Sequence, residues 1–222
     1  GLAKNIISGI TQVFKKENKL IVIEDDILTS KNFLRYMNES LKKYENKKKV
    51  WHISGWSYNI NLKIENSAYF TRVMNCWGWA TWKNRWKNFR KDPEKFLRKF
   101  DEKKIKSFNI DNSYNFFSQI LRNQKKIINT WGIFWYASIF DKNRLCLNPK
   151  NSLTQNIGFG ENSTNTHTIS KIFETKIKKS KFDKTKLPNK LKENTIVFDT
   201  IKKEFEKNKK KFFLKKIKFL FK

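Results

Sequence analysis

The 222-residue sequence predicts an α/β domain over residues 1–168, followed by a Lys-rich, mostly helical C-terminal extension over 169–222. The first observation behind this prediction is that strand-like apolar runs alternate with amphipathic segments over residues 1–92, a pattern typical of layered α/β folds. The second is a change in composition, because lysine becomes dense and glycine disappears from about residue 168.

Hydrophobic periodicity locates the elements in the first half of the chain. Segments whose apolar residues recur every three or four positions predict helices over 4–16, 31–44 and 77–89. Short, mainly apolar runs predict strands over 20–23, 50–53 and 68–73. Thr29 or Ser30 is placed to cap the helix over 31–44, since a hydroxyl oxygen can accept a bond from a first-turn N–H group.

The second half reads as mainly helical. Helical patterns cover 94–108, 113–125 and 192–222, whereas the uninterrupted apolar run 133–140 fits either a buried helix or a buried strand. The run before Pro149 ends in a turn. A polar loop that contains Gly158 and Gly160 follows it.

Charge is the most extreme feature of the composition. The 49 Lys and Arg residues against 20 Asp and Glu residues give a net charge of +29. Such an excess favours an anionic partner such as nucleic acid, anionic lipid or a phosphorylated substrate. The alternative is that the charge reflects a coding bias, since lysine and asparagine are abundant along the whole chain.

Cysteine usage and hydropathy indicate where the chain works. Cys76 and Cys146 have neither metal-type spacing nor a disulfide framework, so we expect a reducing, cytoplasmic compartment. No apolar run approaches the about 20 residues of a membrane span.

The run Glu24-Asp25-Asp26 directly follows the predicted strand 20–23. Open α/β sheets bind ligands at the carboxyl ends of their strands. Adjacent carboxylates repel one another unless a cation or hydrogen-bond donors balance them, and Mg²⁺ or Mn²⁺ typically joins one or two carboxylates to a diphosphate. The alternative is a solvated turn beside the N-terminus of the next helix, where acidic residues are favourable.

Five segments, in this order, resemble the bacterial glycosyltransferases related to N-acetylglucosaminyltransferase I. They are LIVIEDDILTSKNFLRYMNESLKKY, VWHISGWSYNI, YFTRVMNCWGWATWKNRW, NTWGIFWYASIF and LTQNIGFGENSTNTH. The resemblance implies a nucleotide-diphospho-sugar transferase fold of the GT-A type. It also implies that Gly1-Leu2-Ala3 begins a helix inside that fold, so that the chain is a C-terminal portion without the first half of the nucleotide-binding domain.

The resemblance implies roles for individual residues. Asp26 would meet Mn²⁺ or Mg²⁺, while Glu24 and Asp25 would face the ribose or the sugar of the donor, most simply a UDP-sugar. His167 would bind the donor diphosphate or complete the metal shell from a closing loop, although a lone loop histidine is ordinarily just solvated.

The acceptor side is assigned to a loop rich in tryptophan. The stretch Trp77-Gly78-Trp79 matches the family's loop beside a saccharide or glycolipid acceptor. An indole suits this role because it can cover the apolar face of a sugar. Core packing is the alternative, and it is the stronger interpretation for Trp82 and Trp86.

The catalytic base is harder to assign. The animal relatives carry an Asp between two tryptophans, and the matching stretch 131–135 has no acid. Asp111 is the nearest candidate, and its alternative role is to cap the helix that begins near Ser113. We expect His52 to be structural.

The end of the chain predicts a membrane contact. Residues 202–222 contain ten Lys and two Glu, with apolar residues on one helical stripe. Such a helix suits the anionic inner face of the cytoplasmic membrane, whereas the alternative is a helix packed on the domain.

Three functions therefore remain in competition. The first is a metal-dependent transferase for cell-surface polysaccharide or lipooligosaccharide. The second is a basic nucleic-acid-binding protein, for which the sequence contains no specific reading motif. The third is an inactive transferase remnant that binds a membrane or partner through its tail.

Overall fold

The computed structural model describes residues 1–158, 172–177 and 182–220, with side chains described up to Lys209. The helices are α1 (Leu2–Lys16), α2 (Phe33–Tyr44), α3 (Lys83–Trp86), α4 (Pro93–Lys99), α5 (Glu102–Phe108), α6 (Phe117–Gln124), α7 (Gly132–Asp141) and α8 (Thr195–Leu220). The strands are β1 (Lys19–Val22), β2 (Ile27–Thr29), β3 (Val50–Ser54), β4 (Ala68–Thr71), β5 (Trp79–Trp82), β6 (Leu145–Pro149) and β7 (Thr154–Asn156).

A mixed five-stranded sheet organises the domain. Its strand order is β1-β5-β3-β6-β4, in which β3 and β6 are parallel and the other neighbours are antiparallel. The short strands β2 and β7 form a separate antiparallel pair. The chain is therefore an α/β protein, as the sequence predicted.

Each face of the sheet is covered by its own apolar cluster. On one face, α2 packs with Leu187 and the 182–191 segment. On the other face, α1, the helices between residues 93 and 141, and α8 contribute to a larger and strongly aromatic cluster. Neighbouring residues of β5 divide between the clusters, with Trp79 in the second and Ala80 in the first. The sheet is thus covered on both faces, and every residue of β3, β4, β5 and β6 is buried.

Several predicted elements are confirmed. The helices α1, α2 and α8 and the strands β1, β3 and β4 lie within a few residues of their predicted positions. The run 133–140 is the helix α7, and every residue from Ile133 to Ile139 is buried. A helix that is apolar all round belongs in a core, which is why its sequence showed no periodicity.

The predicted helix over 77–89 is wrong. Residues Trp79–Trp82 instead form β5, between β1 and β3. A helix follows only over Lys83–Trp86. All four residues of β5 are buried, so no alternation of exposed and buried positions marks the strand in the sequence.

The predicted helix over 94–108 is divided in two. Asp92 accepts a hydrogen bond from the Lys95 N–H and caps α4, and Asp101 accepts one from the Lys104 N–H and caps α5. Buried Phe100 lies between the two helices in an extended conformation. Two side-chain caps, rather than one long periodicity, set these boundaries.

The cap predicted at Thr29 or Ser30 is also wrong. Thr29 lies in β2, and α2 begins after Asn32. Ser30 contributes its backbone carbonyl, which accepts the Phe33 N–H at 3.0 Å. Strands β2, β6 and β7 were not expected from the sequence.

The described part of the C-terminal extension packs onto the domain. Four apolar side chains of α8 are buried, namely Val197, Phe198, Ile201 and Phe205. Just before α8, the Glu193 carboxylate accepts hydrogen bonds from the Arg72 guanidinium. Among the described residues, no helix combines the length and apolar character needed to cross a membrane.

Candidate functional site

The acidic residues 24–26 form the turn between β1 and β2. The Ile27 N–H donates to the Glu24 carbonyl at 3.1 Å and closes the turn. The Ile157 N–H donates to the Asp26 carbonyl at 2.9 Å, so the end of β7 holds the turn from the other side. The backbone of the three acids is therefore fixed by two strands that are distant in sequence.

The carboxylates of the turn influence one another. Burial, and then the charges of Asp26 and Asp25, raise the pKa of Glu24 to about 7. Asp25 is exposed, and Asp26 is half-buried. The ionised form of Glu24 is therefore destabilised near neutral pH, and a bound cation would stabilise it.

Asp26 has the most closely fitted surroundings of the three. The Asn156 amide donates to Asp26 Oδ2 at 3.2 Å. Gly158 approaches the same carboxylate so closely that a Cβ at that position would lie 2.6 Å from Oδ2. A side chain at position 158 would press on the carboxylate, so glycine is needed for this approach.

The tryptophan loop, residues 77–79, lies beside this turn because Val22 of β1 pairs with Trp79 of β5. Gly78 has a φ of 71°, and its carbonyl accepts the Gly55 N–H at 2.7 Å. The Thr154 hydroxyl donates to the Trp77 carbonyl at 2.7 Å. The loop is therefore tied to β7, which also holds the acidic turn.

The two indoles of the loop have different environments. Trp79 is 0% exposed and stacks on His52 and Trp131, with ring centroids 5.2 Å and 5.3 Å apart. Trp77 is half-buried and packs edge-on against Trp56, with centroids 4.9 Å apart. In this conformation Trp77 offers surface to a ligand, whereas Trp79 is part of the core.

The start of α7 completes the cluster. A Cβ on Gly132 would lie 3.7 Å from Cys76 Sγ, so the N-terminal end of α7 reaches the segment before the tryptophan loop. Burial, and then the charge of Glu24, raise the pKa of the Cys76 thiol to about 12. This thiol therefore stays protonated at neutral pH and is a poor nucleophile.

His52 supports the tryptophan loop from inside the core. The Trp135 indole donates to Nδ1 at 3.2 Å, so Nε2 carries the proton and donates to the Asn75 carbonyl at 2.9 Å. Burial lowers the pKa of His52 to about 3. The imidazole is therefore neutral and makes two hydrogen bonds, which agrees with the structural role that the sequence suggested.

Asp111 lies in the segment between α5 and α6. Its φ of 51° places it in the left-handed region, and Lys202 of α8 donates to its Oδ2 at 3.2 Å. The alternative role as a helix cap is wrong, because α6 begins only at Phe117. Its role as the base stays a prediction, and the contact found for it is with α8.

The donor atoms of the acidic turn decide whether a metal ion could bind there. Within the described residues, no group of three or more His, Cys, Asp or Glu side chains converges to hold a metal ion. The acidic turn still offers oxygen ligands of the kind that Mg²⁺ and Mn²⁺ prefer, and these ions commonly combine one or two carboxylates with substrate phosphates. The residues fit a shared site completed by a diphosphate, rather than a cage made of protein alone.

The contacts of Asp26 with Asn156 and Gly158 were not predicted from the sequence. Asn156 and Gly158 hold Asp26 through the β2–β7 pairing, which leaves no signal in the local sequence. His167 lies outside the described residues. The segments brought together are the acidic turn, the tryptophan loop, the end of β7 and the start of α7.

The chain was also compared with known proteins. Neither a protein-family model nor a curated protein matches it.

Proposed function

We propose that this chain is a glycosyltransferase of the GT-A type, or the catalytic portion of one. It would move a sugar from a nucleotide-diphosphate donor to a saccharide or glycolipid acceptor of the cell surface. The observation that supports the proposal is the meeting of the acidic turn, the tryptophan loop, residues 154–158 and the start of α7. These segments belong to separate parts of the sequence resemblance.

The roles proposed for the residues are those that the sequence resemblance implies. Asp26, oriented by Asn156, would hold Mn²⁺ or Mg²⁺ together with the donor diphosphate, and exposed Asp25 would bind the ribose or the donor sugar with Glu24. The bound ion would supply Lewis-acid stabilisation of the departing nucleoside diphosphate.

The acceptor side would use the tryptophan loop. The half-buried Trp77 would cover the apolar face of the acceptor sugar. Asp111, whose Oδ2 accepts a hydrogen bond from Lys202, is the residue proposed to take the acceptor proton.

The test is calorimetric titration of UDP and UDP-sugars with and without Mn²⁺. We expect metal-dependent binding by the wild-type chain, because the ion neutralises both the diphosphate and the acidic turn. Asp26→Ala should abolish this binding, and Asp199→Ala, which removes an exposed carboxylate of α8, should preserve it.

Two results would count against the proposal. Binding that is independent of metal, or that survives Asp26→Ala, would show that the acidic turn does not hold the donor. No binding by a cooperatively folded wild-type chain would favour the inactive remnant.

We also propose that the chain works at the inner face of the cytoplasmic membrane. The support is the composition of residues 202–222, which carry ten Lys and two Glu, and the continuation of α8 to Leu220. A basic helix of this kind is attracted to anionic lipid.

A further inference from the structure

A pocket of about 310 Å³ lies between the N-terminal end of α4, the end of α6 and the start of α7. Its lining residues are Lys91, Pro93, Asn123, Lys126, Ile128, Asn129 and Phe134. The volume is at the lower end of the range found for small-ligand pockets, and it suits a monosaccharide.

The charged groups of the pocket are all cationic. The Lys91 ammonium donates to Asn129 Oδ1 at 2.5 Å, and within the described part of the chain neither Lys91 nor Lys126 forms an ion pair. The nearby acids have other partners, since Asp92 caps α4 and Glu94 lies 3.7 Å from Arg98. The lining itself therefore carries two positive charges and no negative one, and Asp92 is the acid adjacent to it in sequence.

The rim that carries these groups is held in place by Asn123. Its amide donates to the Gln119 carbonyl at 2.7 Å and to the Thr130 hydroxyl at 2.9 Å. Its oxygen accepts the Thr130 N–H at 3.0 Å. These bonds close the turn over 124–130, in which Lys126 has a φ of 57°. The rim is thus shaped before a ligand arrives, which lowers the entropy lost on binding.

The remaining wall of the pocket is apolar. Phe134 is buried, and Pro93 and Ile128 are half-buried. Half-buried apolar side chains beside two lysine ammonium groups match a sugar that has an apolar ring face and carries an acidic group.

We infer that this pocket binds a small anionic saccharide, with Lys91 and Lys126 contacting its carboxylate or phosphate. The half-buried side chains of Pro93 and Ile128 contact the ring. The inference does not depend on transferase activity, because none of these residues belongs to the acidic turn or the tryptophan loop.

The test uses NMR titration of the whole chain with glucuronate, glucose 6-phosphate, glucose and inorganic phosphate. We expect the two acidic sugars to bind in the millimolar range, with backbone shifts centred on 123–134. Glucose and phosphate should each bind about tenfold more weakly, because each lacks one half of the interaction. The stronger of the two acidic sugars identifies the preferred anion.

Matched variants separate a built pocket from general attraction to a basic protein. Lys91→Gln together with Lys126→Gln should weaken acidic-sugar binding about tenfold or more. Lys186→Gln together with Lys190→Gln removes the same charge from exposed positions in the 182–191 segment, on the opposite face of the sheet, and should leave the affinity unchanged.

Three results would overturn the inference. The first is the absence of saturable binding of either acidic sugar to the folded wild-type chain. The second is equal weakening by both pairs of substitutions. The third is phosphate binding as tight as that of the sugars, because the apolar wall would then contribute nothing.

Discussion

At the scale of single residues, His52 joins three parts of the core that the sequence keeps apart. It accepts a bond from Trp135 of α7, donates to the Asn75 carbonyl and stacks on Trp79 of β5. The bond from Trp135 requires the neutral imidazole, because both ring nitrogens of a protonated histidine are donors, and burial lowers the pKa of His52 to about 3. A protonated His52 would lose its acceptor atom and break the bond to Trp135.

This arrangement predicts a pH-dependent stability. In the unfolded chain, histidine binds a proton below its ordinary pKa of 6.5, whereas folded His52 remains neutral until about pH 3. The unfolded state therefore binds more protons in this window, and the contribution of His52 to stability is lost as the pH falls. We expect the free energy of unfolding to fall by about 2 kcal/mol more in the wild type than in His52→Gln between about pH 7 and pH 5.

Urea unfolding of both proteins at each pH measures this difference. Other titrating groups are common to the two proteins and cancel. Among them is Glu24, whose raised pKa acts in the opposite direction because the folded state binds the extra proton. Parallel pH profiles for the two proteins would contradict the assigned state of His52.

At the scale of elements, α8 shows how the basic extension is attached to the domain. Its buried residues 197, 198, 201 and 205 face the larger apolar cluster, while Lys202 reaches Asp111. Before the helix, the Arg72–Glu193 contact adds a charged anchor, and the Arg72 guanidinium also lies over the Phe198 ring, 4.4 Å from its centroid. The first turns of α8 are therefore part of the domain core.

Ile201 tests this packing. Its side chain is 0% exposed, so Ile201→Ala should lower the free energy of unfolding by about 2–4 kcal/mol through lost burial and a residual cavity. The control is Ile196→Ala, which makes the same chemical change on the same helix at a site that is 71% exposed. It should change the free energy of unfolding by less than about 0.5 kcal/mol. Chemical denaturation measures both variants, and similar values for the two would show that α8 does not pack on the core through this face.

At the scale of the whole molecule, the net charge of +29 is the dominant property. The charge creates a long-range field that attracts anionic surfaces, and this attraction weakens as salt screens it. The ion pairs Lys19–Glu45 and Arg98–Glu94 lie at the surface and contribute little to stability. The charge is therefore better explained by a partner or by coding bias than by a need of the fold.

Membrane association is the prediction at this scale. The chain should sediment with vesicles that contain anionic phosphatidylglycerol, because several lysines near such a surface contribute about 1 kcal/mol each. Neutral phosphatidylcholine vesicles should bind much less. Removal of residues 210–222 should release the chain without unfolding it, since the described part of α8 already anchors the helix to the domain through Val197, Phe198, Ile201 and Phe205.

Controls distinguish a membrane from other anionic partners. Equal binding of the shortened and full-length chains to anionic vesicles would contradict a membrane role for the end of α8. Tighter binding of RNA than of vesicles at the same salt concentration, unchanged in Asp26→Ala, would support the nucleic-acid alternative instead.

The sequence by itself determined the elements whose signal is local. Helices α1 and α2 and strands β1 and β3 each carry their own periodicity or apolar run, and the acidic turn is visible as three adjacent letters. Local patterns of this kind also predicted the α/β class and the basic C-terminal extension.

Only the tertiary structure decided the rest. Strand β5 became a strand because β1 and β3 flank it, and Asp26 acquired Asn156 because β2 pairs with β7. The division of roles between Trp77 and Trp79 depends on which indole the core encloses. Strand pairing and burial join residues far apart in the chain, and no window of sequence contains both partners.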